Sequence, residues 1–260
     1  MFKIKISWLL PFFVGLSYLF LYLPIIVLVL YSFNSGSLEY KWSGFTLQWY
    51  KDLLSSSDAW DALKTSLMVG VSSVVITISM SAALVFFGHN TFLNSFFFTF
   101  YANLAVPEIV LAVGLLSLFY FFSISLSITT LIVGHTIIGL GYAVPMIYTR
   151  FKEIDTRVIE ASYDLGATPF QTFFKIILPL MSSALIAAAM LVFIISFDDF
   201  IISFFCSSGS TQTLPIYIFS MIRAGASPEV SALSTILLLI SSLLVLIFSS
   251  LQNRTWKGKE

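Results

Sequence analysis

Long apolar runs set the pattern of this chain, and short polar stretches separate them. Residues 8–33 carry no charge. About twenty apolar residues cross the hydrocarbon core of a bilayer, so this run can span it with tilt to spare. A signal peptide would have a shorter apolar region and a small-residue cleavage site, so the run reads as an uncleaved first span. Pro11 and Pro24 are expected to kink it or mark its edges. Five more runs follow, at 65–88, 96–122, 128–148, 180–205 and 230–251. Polar turns at 89–94 and 123–127 separate the second, third and fourth. Pro107-Glu108 interrupts the third, Gly139, Gly141 and Pro145 sit in the fourth, and the fifth carries Asp198 and Asp199. The pattern predicts an all-α polytopic membrane protein with six transmembrane helices, forming a single domain over 1–260.

The stretches between the runs differ in kind. Residues 34–64 are polar and aromatic, with Trp42, Trp49, Tyr50 and Trp60, and suit a membrane interface. A short interfacial helix is expected at 47–54. A loop at 207–227 has room for an apolar half-helix at 214–222. The sizeable polar island lies at 157–179, within a loop of about 150–179. It reads as two short helices joined at a sharp corner. Asp155 suits the N-cap of the first, with Val158, Ile159, Ser162 and Leu165 on one face. Gly166 suits the left-handed position that ends a helix. Thr168 can cap the second, with Pro169 at its first position and Gln171 at capping-box spacing. Pro179 is expected to kink or stop that helix.

Composition narrows the class. The 260 residues are 58% hydrophobic and 10% charged, with mean hydropathy +0.97. Soluble domains carry about a quarter charged residues. An integral membrane protein is implied, with lipid as its surroundings. Zero net charge gives no reason to expect a nucleic-acid partner. The single cysteine, Cys206, excludes an intrachain disulfide and reads as a small apolar filler. No phosphate-cradling Gly-x-x-x-x-Gly-Lys-Ser/Thr is present and no cofactor is expected, so any ATP hydrolysis belongs to another polypeptide.

Six spans place both termini on one side, and lysine and arginine decide which. Lys3, Lys5, Arg150, Lys152, Arg157, Lys175, Arg254, Lys257 and Lys259 give that side nine, against four for Lys41, Lys51, Lys64 and Arg223. The termini and the 150–179 loop are therefore expected in the cytoplasm.

Glu108, Asp198 and Asp199 are the acidic side chains inside the expected spans, and no lysine or arginine lies there with them. An ionised carboxylate at mid-bilayer costs about 2.5–3.5 kcal/mol, so such groups face a water-filled path or a partner. A cationic substrate, or a cation on a second subunit, is the natural counter-charge. Neighbours on a helix point about 100° apart, so one of Asp198 and Asp199 is expected on the path and the other bonded to a neighbour. Two blander readings compete: Glu108 satisfying backbone groups freed by Pro107, and the aspartate pair solvated near the outer interface. His89 and His135 lack ligand spacing and read as packing or interfacial residues. Phe197, Phe200 and Tyr217 are candidate aromatic faces for an alkylammonium group. No catalytic constellation emerges.

The polar island resembles the EAA loop of ABC importer permeases. Glu160-Ala161-Ser162 stands for the Glu-Ala-Ala triplet, with Ser162 replacing the second alanine, and Gly166 follows four residues later. Ile176-Ile177-Leu178-Pro179 stands for the end of the pattern. Ser32-Phe33-Asn34-Ser35, Trp42-x-Gly44-Phe45-Thr46, Trp49-Tyr50, Pro107-Glu108-Ile109-Val110, Asp198-Asp199 and the segment Ser227 to Leu233 extend the likeness over essentially the whole chain. Together they resemble the PotC-type permease subunits of spermidine/putrescine importers. In that family aspartate often stands where Glu108 does. The resemblance implies a cytoplasmic helix-turn-helix coupling loop between helices 4 and 5, docking on an ATPase through Glu160, Ala161, Ser162, Asp164 and Gly166. It implies half of a translocation path in a bacterial inner membrane. It also implies a PotB-like second permease, two PotA-like ATPases holding ATP-Mg, and a soluble PotD-like polyamine-binding protein. Glu108, Asp198 and Asp199 would line the substrate path. Alternatives are a permease for another small cationic solute and a proton-coupled secondary carrier; the loop opposes the carrier, which has no ATPase to dock.

Overall fold

The computed structural model describes residues 9–36, 41–88, 97–209, 211–225 and 228–257, with side chains omitted at 9–10, 97–98, 244 and 247–257. Lys3, Lys5, Lys259 and the turn at 89–94 with His89 lie outside the described residues. Those residues form helices α1 (Leu9–Tyr31), α2 (Gln48–Ser55), α3 (Ser57–Gly88), α4 (Phe97–Asn103), α5 (Glu108–Phe121), α6 (Ile128–Lys152) and α7 (Thr156–Asp164). After α8 (Pro169–Thr172) and a π-helical turn at Phe173–Ile177 come α9 (Leu178–Leu180), α10 (Ser182–Asp198), α11 (Ile201–Cys206), α12 (Leu214–Ala224) and α13 (Pro228–Lys257). Among the described residues there is no β-sheet, only one isolated bridge between Asn34 and Phe45.

The chain divides into two compact units, Met1–Ala59 with Ile218–Ser242, and Trp60–Tyr217 with Leu243–Glu260. In the first, the apolar side chains of α1 stand exposed over most of its length. Such a surface is stable only against lipid or protein. The loop after α1 is built on Asn34, which is fully buried. Its Nδ2 donates to the Lys41 carbonyl at 2.8 Å, and its Oδ1 accepts from the Ser43 amide at 2.8 Å. Trp49 Nε1 donates to the Asn34 carbonyl at 2.7 Å, so the aromatic residues of this loop brace its backbone.

In the second unit α6 is central, with α4, α5, α10 and α11 packed on it. Gly139 makes this possible. A Cβ there would stand 2.9 Å from Thr77 Oγ1 on α3 and 2.9 Å from Val192 Cγ1 on α10. Two apolar clusters result. One joins Phe86, Val144, Ile147, Phe151, Ile159, Phe173 and Ile177, and so ties the polar island to α3 and α6. The other joins Leu115, Leu131, Ile138, Ile202 and Cys206.

The helical, multi-helix membrane character stands, but several expected spans are not single helices. Pro11–Tyr31, α3 and α6 are each long and apolar enough to cross a membrane. Pro169–Leu180 and Ser182–Asp198 make a fourth if the pair, bent by 75°, counts as one span. The second expected span begins at Ser57 rather than 65. The third is two pieces, because Pro107 cannot donate an amide hydrogen and stands in extended geometry before α5. The fifth is bent after Pro179 and broken again at Asp199, which has left the helix (φ −69°, ψ 126°).

Candidate functional site

Two places bring the sequence-derived residues together. The first is the corner between α7 and α8. Asp155 caps α7, its carboxylate accepting from the Arg157 amide at 3.0 Å. The Arg157 guanidinium also grips it, at 2.6 Å from Nη2, and holds the Asp155 carboxyl below the usual range. Gly166 turns the chain with φ +82°. Its amide donates to the Tyr163 carbonyl at 2.8 Å and that of Ala167 to the Ser162 carbonyl at 3.0 Å, the paired bonds of a Schellman ending. Thr168 and Gln171 form a reciprocal capping box over α8. Ser162 is buried at the inside of the corner. It donates to the Ile159 carbonyl at 2.7 Å, so the Thr172 hydroxyl is the donor in their 2.8 Å bond.

The corner turns a mixed face outward. Glu160, Ala161 and Asp164 are exposed. Of the four residues expected on one face, Ile159 and Ser162 are buried, but Val158 and Leu165 are not. A helix of nine residues buries only a narrow strip, and Leu165 lies past its end. Leu165 is 89% exposed, with Phe170 at 66% beside the turn.

The second place is the break between α10 and α11. A break frees the amides of the next helical turn, and Asp199 takes them. Its Oδ1 accepts from the Ile202 amide at 3.2 Å and its Oδ2 from the Ser203 amide at 2.8 Å. The argument that Asp198 and Asp199 diverge as helix neighbours therefore gives way to a simpler difference. Asp199 is buried at the cap, while Asp198 ends α10 exposed. Glu108, at the first turn of α5, lies close enough to Asp199 for their carboxyl groups to share a hydrogen bond.

His135 is a packing residue, as its lone position in an apolar run suggests, but it packs through polar partners. It is fully buried on α6, with Nδ1 2.9 Å from Ser196 Oγ and Nε2 3.2 Å from Ser203 Oγ. Nε2 is also 3.6 Å from Asp199 Oδ2, so Asp199 is the member of the aspartate pair that is bonded to its neighbours. The available signal was its polarity alone, since a polar group inside an apolar span has to find a partner. Phe197 is buried and stacks on Phe193 at 5.6 Å, so its face is not free for a cation. Phe200 packs on Phe204, and Tyr217 is half-buried. Among the described residues, no group of three or more histidine, cysteine or acidic side chains is placed to hold a metal ion.

Comparison with known proteins follows the same lines. Residues 73–256 match the family described as binding-protein-dependent transport system inner membrane component. The chain is 36% identical over 247 residues to the spermidine/putrescine transport system permease protein PotC of Escherichia coli K12, covering 93% of this chain and 92% of that one. It is 34% identical over 233 residues to the putrescine transport system permease protein PotI of the same organism, covering 86% and 83%. In fold it is similar to a chain of a bacterial ABC transporter involved in import of the acidic polysaccharide alginate. The TM-score is 0.72 at 15% identity, over 97% of both chains. The chain thus belongs to the family of binding-protein-dependent transport system inner membrane components, as a multi-pass protein of the bacterial inner membrane related to the PotC-type permeases.

Proposed function

We propose that this chain is the permease subunit of an ATP-driven importer for polyamines such as spermidine and putrescine. The observation that carries this reading is the match to a spermidine/putrescine permease over 93% of the chain. In this reading six spans cross the membrane: α1, α3, α4 with α5, α6, α10 with α11, and α13. Both termini and the α7–α8 corner face the cytoplasm, in line with the lysine and arginine bias. The chain forms half of the translocation path beside a PotB-like second permease. A soluble polyamine-binding protein delivers substrate, and two ATPase subunits hydrolyse ATP.

Each site then has a task. Glu160, Ala161, Ser162, Asp164 and Gly166 shape the corner that docks on the ATPase, with Leu165 and Phe170 as exposed apolar contacts. Asp198 and Glu108 line the path as counter-ions for ammonium groups, with Asp199 beside them as the cap of α11. Attraction between unit charges at about 4 Å is roughly 4 kcal/mol at an effective dielectric near 20, enough to offset much of one ammonium's dehydration. Several such groups in series permit release, where one deep trap would not.

The test is ATP-dependent uptake of labelled spermidine by the complex reconstituted with its ATPase and binding protein. Uptake that is saturable and blocked by putrescine supports the reading. A complex that hydrolyses ATP but moves another solute and no polyamine contradicts it. Orientation is checked separately. A cysteine at Ser57 should react with an impermeant thiol reagent from outside, and one at Thr156 should not; the opposite pattern overturns the topology.

A further inference from the structure

We infer that His135 is a positioning residue that staples the two halves of the broken helix and so holds the carboxyl cluster in place. The inference rests on the proposed role of the break in the path. One ring reaches both sides of the gap: Ser196 belongs to α10, and Ser203 to α11. Neither half needs this contact to stay helical, since Ser196 lies inside α10 and the Asp199 carboxylate already caps α11. What it fixes is the relation of one half to the other.

The surroundings give the staple rigidity. The His135 ring is fully buried, and its helix is clamped on either side. Ser73 and Thr77 of α3 donate to the carbonyls of Ile132 and Thr136 at 3.3 and 3.4 Å. The Thr130 hydroxyl, further back on α6, lies 2.8 Å from the Cys206 carbonyl and 2.7 Å from that of Ser127, so its one proton is shared between the far end of α11 and the start of α6. A six-residue helix held at its start by His135 and Asp199 and at its end by Thr130 has little freedom to swing. Asp199 stands at the pivot, and Glu108 meets it there. The Nε2–H tautomer suits the site, since the Asp199 carboxylate stands 3.6 Å from Nε2, and Nδ1 then accepts from the Ser196 hydroxyl.

The experiment uses the whole complex. His135→Phe fills the volume and removes both hydrogen bonds. His135→Gln keeps one group able to donate and accept toward Ser203. Complex yield, ATP hydrolysis and spermidine uptake are measured on each. The expected result is normal yield for His135→Phe with spermidine moved per ATP down about tenfold, the size of one or two lost hydrogen bonds, and substantial recovery in His135→Gln. If His135→Phe does not assemble, Ser196→Ala combined with Ser203→Ala removes the same bonds and must show the same loss. Wild-type transport per ATP in whichever of these assembles overturns the inference, as does equal loss in His135→Phe and His135→Gln. Failure of the path reading looks different: Glu108→Gln with Asp198→Asn would then transport normally while His135→Phe did not.

Discussion

The α7–α8 corner and the α10–α11 break are both places where a helix ends abruptly, but they end for different reasons. At the corner the devices that end one helix and start the next are local. The cap at Asp155, the left-handed Gly166 and the box of Thr168 and Gln171 all join residues within five positions of one another. At the break, Asp199 still serves its own next turn, but the groups that set the geometry come from far along the chain. His135 lies 61 residues from Ser196 and 68 from Ser203. A local ending can be read and broken residue by residue. A non-local one fails only through its partners.

Breaking the local ending should give the largest effect. Gly166→Pro cannot adopt φ near +82° and loses the amide bond to Tyr163, at a local cost of about 3 kcal/mol. We expect a membrane-inserted protein that no longer co-purifies with its ATPase and shows no uptake. Gly166→Ala keeps the amide and costs only about 1–2 kcal/mol, so it should retain partial docking. Full docking and uptake by Gly166→Pro would dismiss the corner as the docking element.

Next in size is Asp199→Asn. It places an amide NH₂ or a lone carbonyl where two backbone amides now meet a carboxylate, and leaves about 1–3 kcal/mol of unmet hydrogen bonding in a buried place. The expected outcome is lower complex yield and reduced thermal stability in detergent, more than for Asp198→Asn, whose side chain is exposed. Equal yields would remove the distinction between cap and path.

A finer comparison is possible inside the corner. Ser162→Ala leaves the buried Thr172 hydroxyl without its acceptor and should cost about 1 kcal/mol. Adding Thr172→Val removes both partners and should recover part of that loss. A double variant worse than the sum would show that the hydroxyl pair is not the contact that matters.

The smallest effect concerns pH at the Asp155 cap. Arg157 lowers the carboxyl below its ordinary value of 3.8, so the cap is in full force at neutral pH. A depressed carboxyl stabilises the fold above its unfolded value and loses that contribution as pH falls through the folded one. The cap should therefore hold through the mildly acidic range, and Asp155→Asn should change thermal unfolding of the complex only slightly at pH 5 to 7. A strong loss between those values would point to another group.

This contrast also explains what the sequence could disclose. Apolar run lengths showed a helical membrane chain, and the spacing of Asp155, Gly166, Thr168 and Pro169 showed two short helices, because both signals are confined to neighbouring residues. Pro107 and Pro179 marked two interruptions, for the same reason. The break at Asp199 has no proline or glycine beside it, so the run at 180–205 read as one helix. Only in the fold does it become clear that the carboxylate replaces the lost helical bonds. His135 was invisible as a site because its partners are serines, common in any span, and the pairing depends on how α6 meets α10 and α11. Val158 and Leu165 were placed on the buried face by periodicity, which ignores how narrow a strip a nine-residue helix covers.

The central claim is that carboxyl groups at the α10–α11 break carry polyamine charge through the membrane. It is tested most directly by uptake of labelled spermidine in vesicles holding the complete complex, with Glu108→Gln and Asp198→Asn combined. Both changes keep side-chain shape and remove charge. The account predicts normal complex yield and uptake reduced to near background. Uptake at the wild-type rate would contradict it and leave selectivity to the soluble binding protein alone.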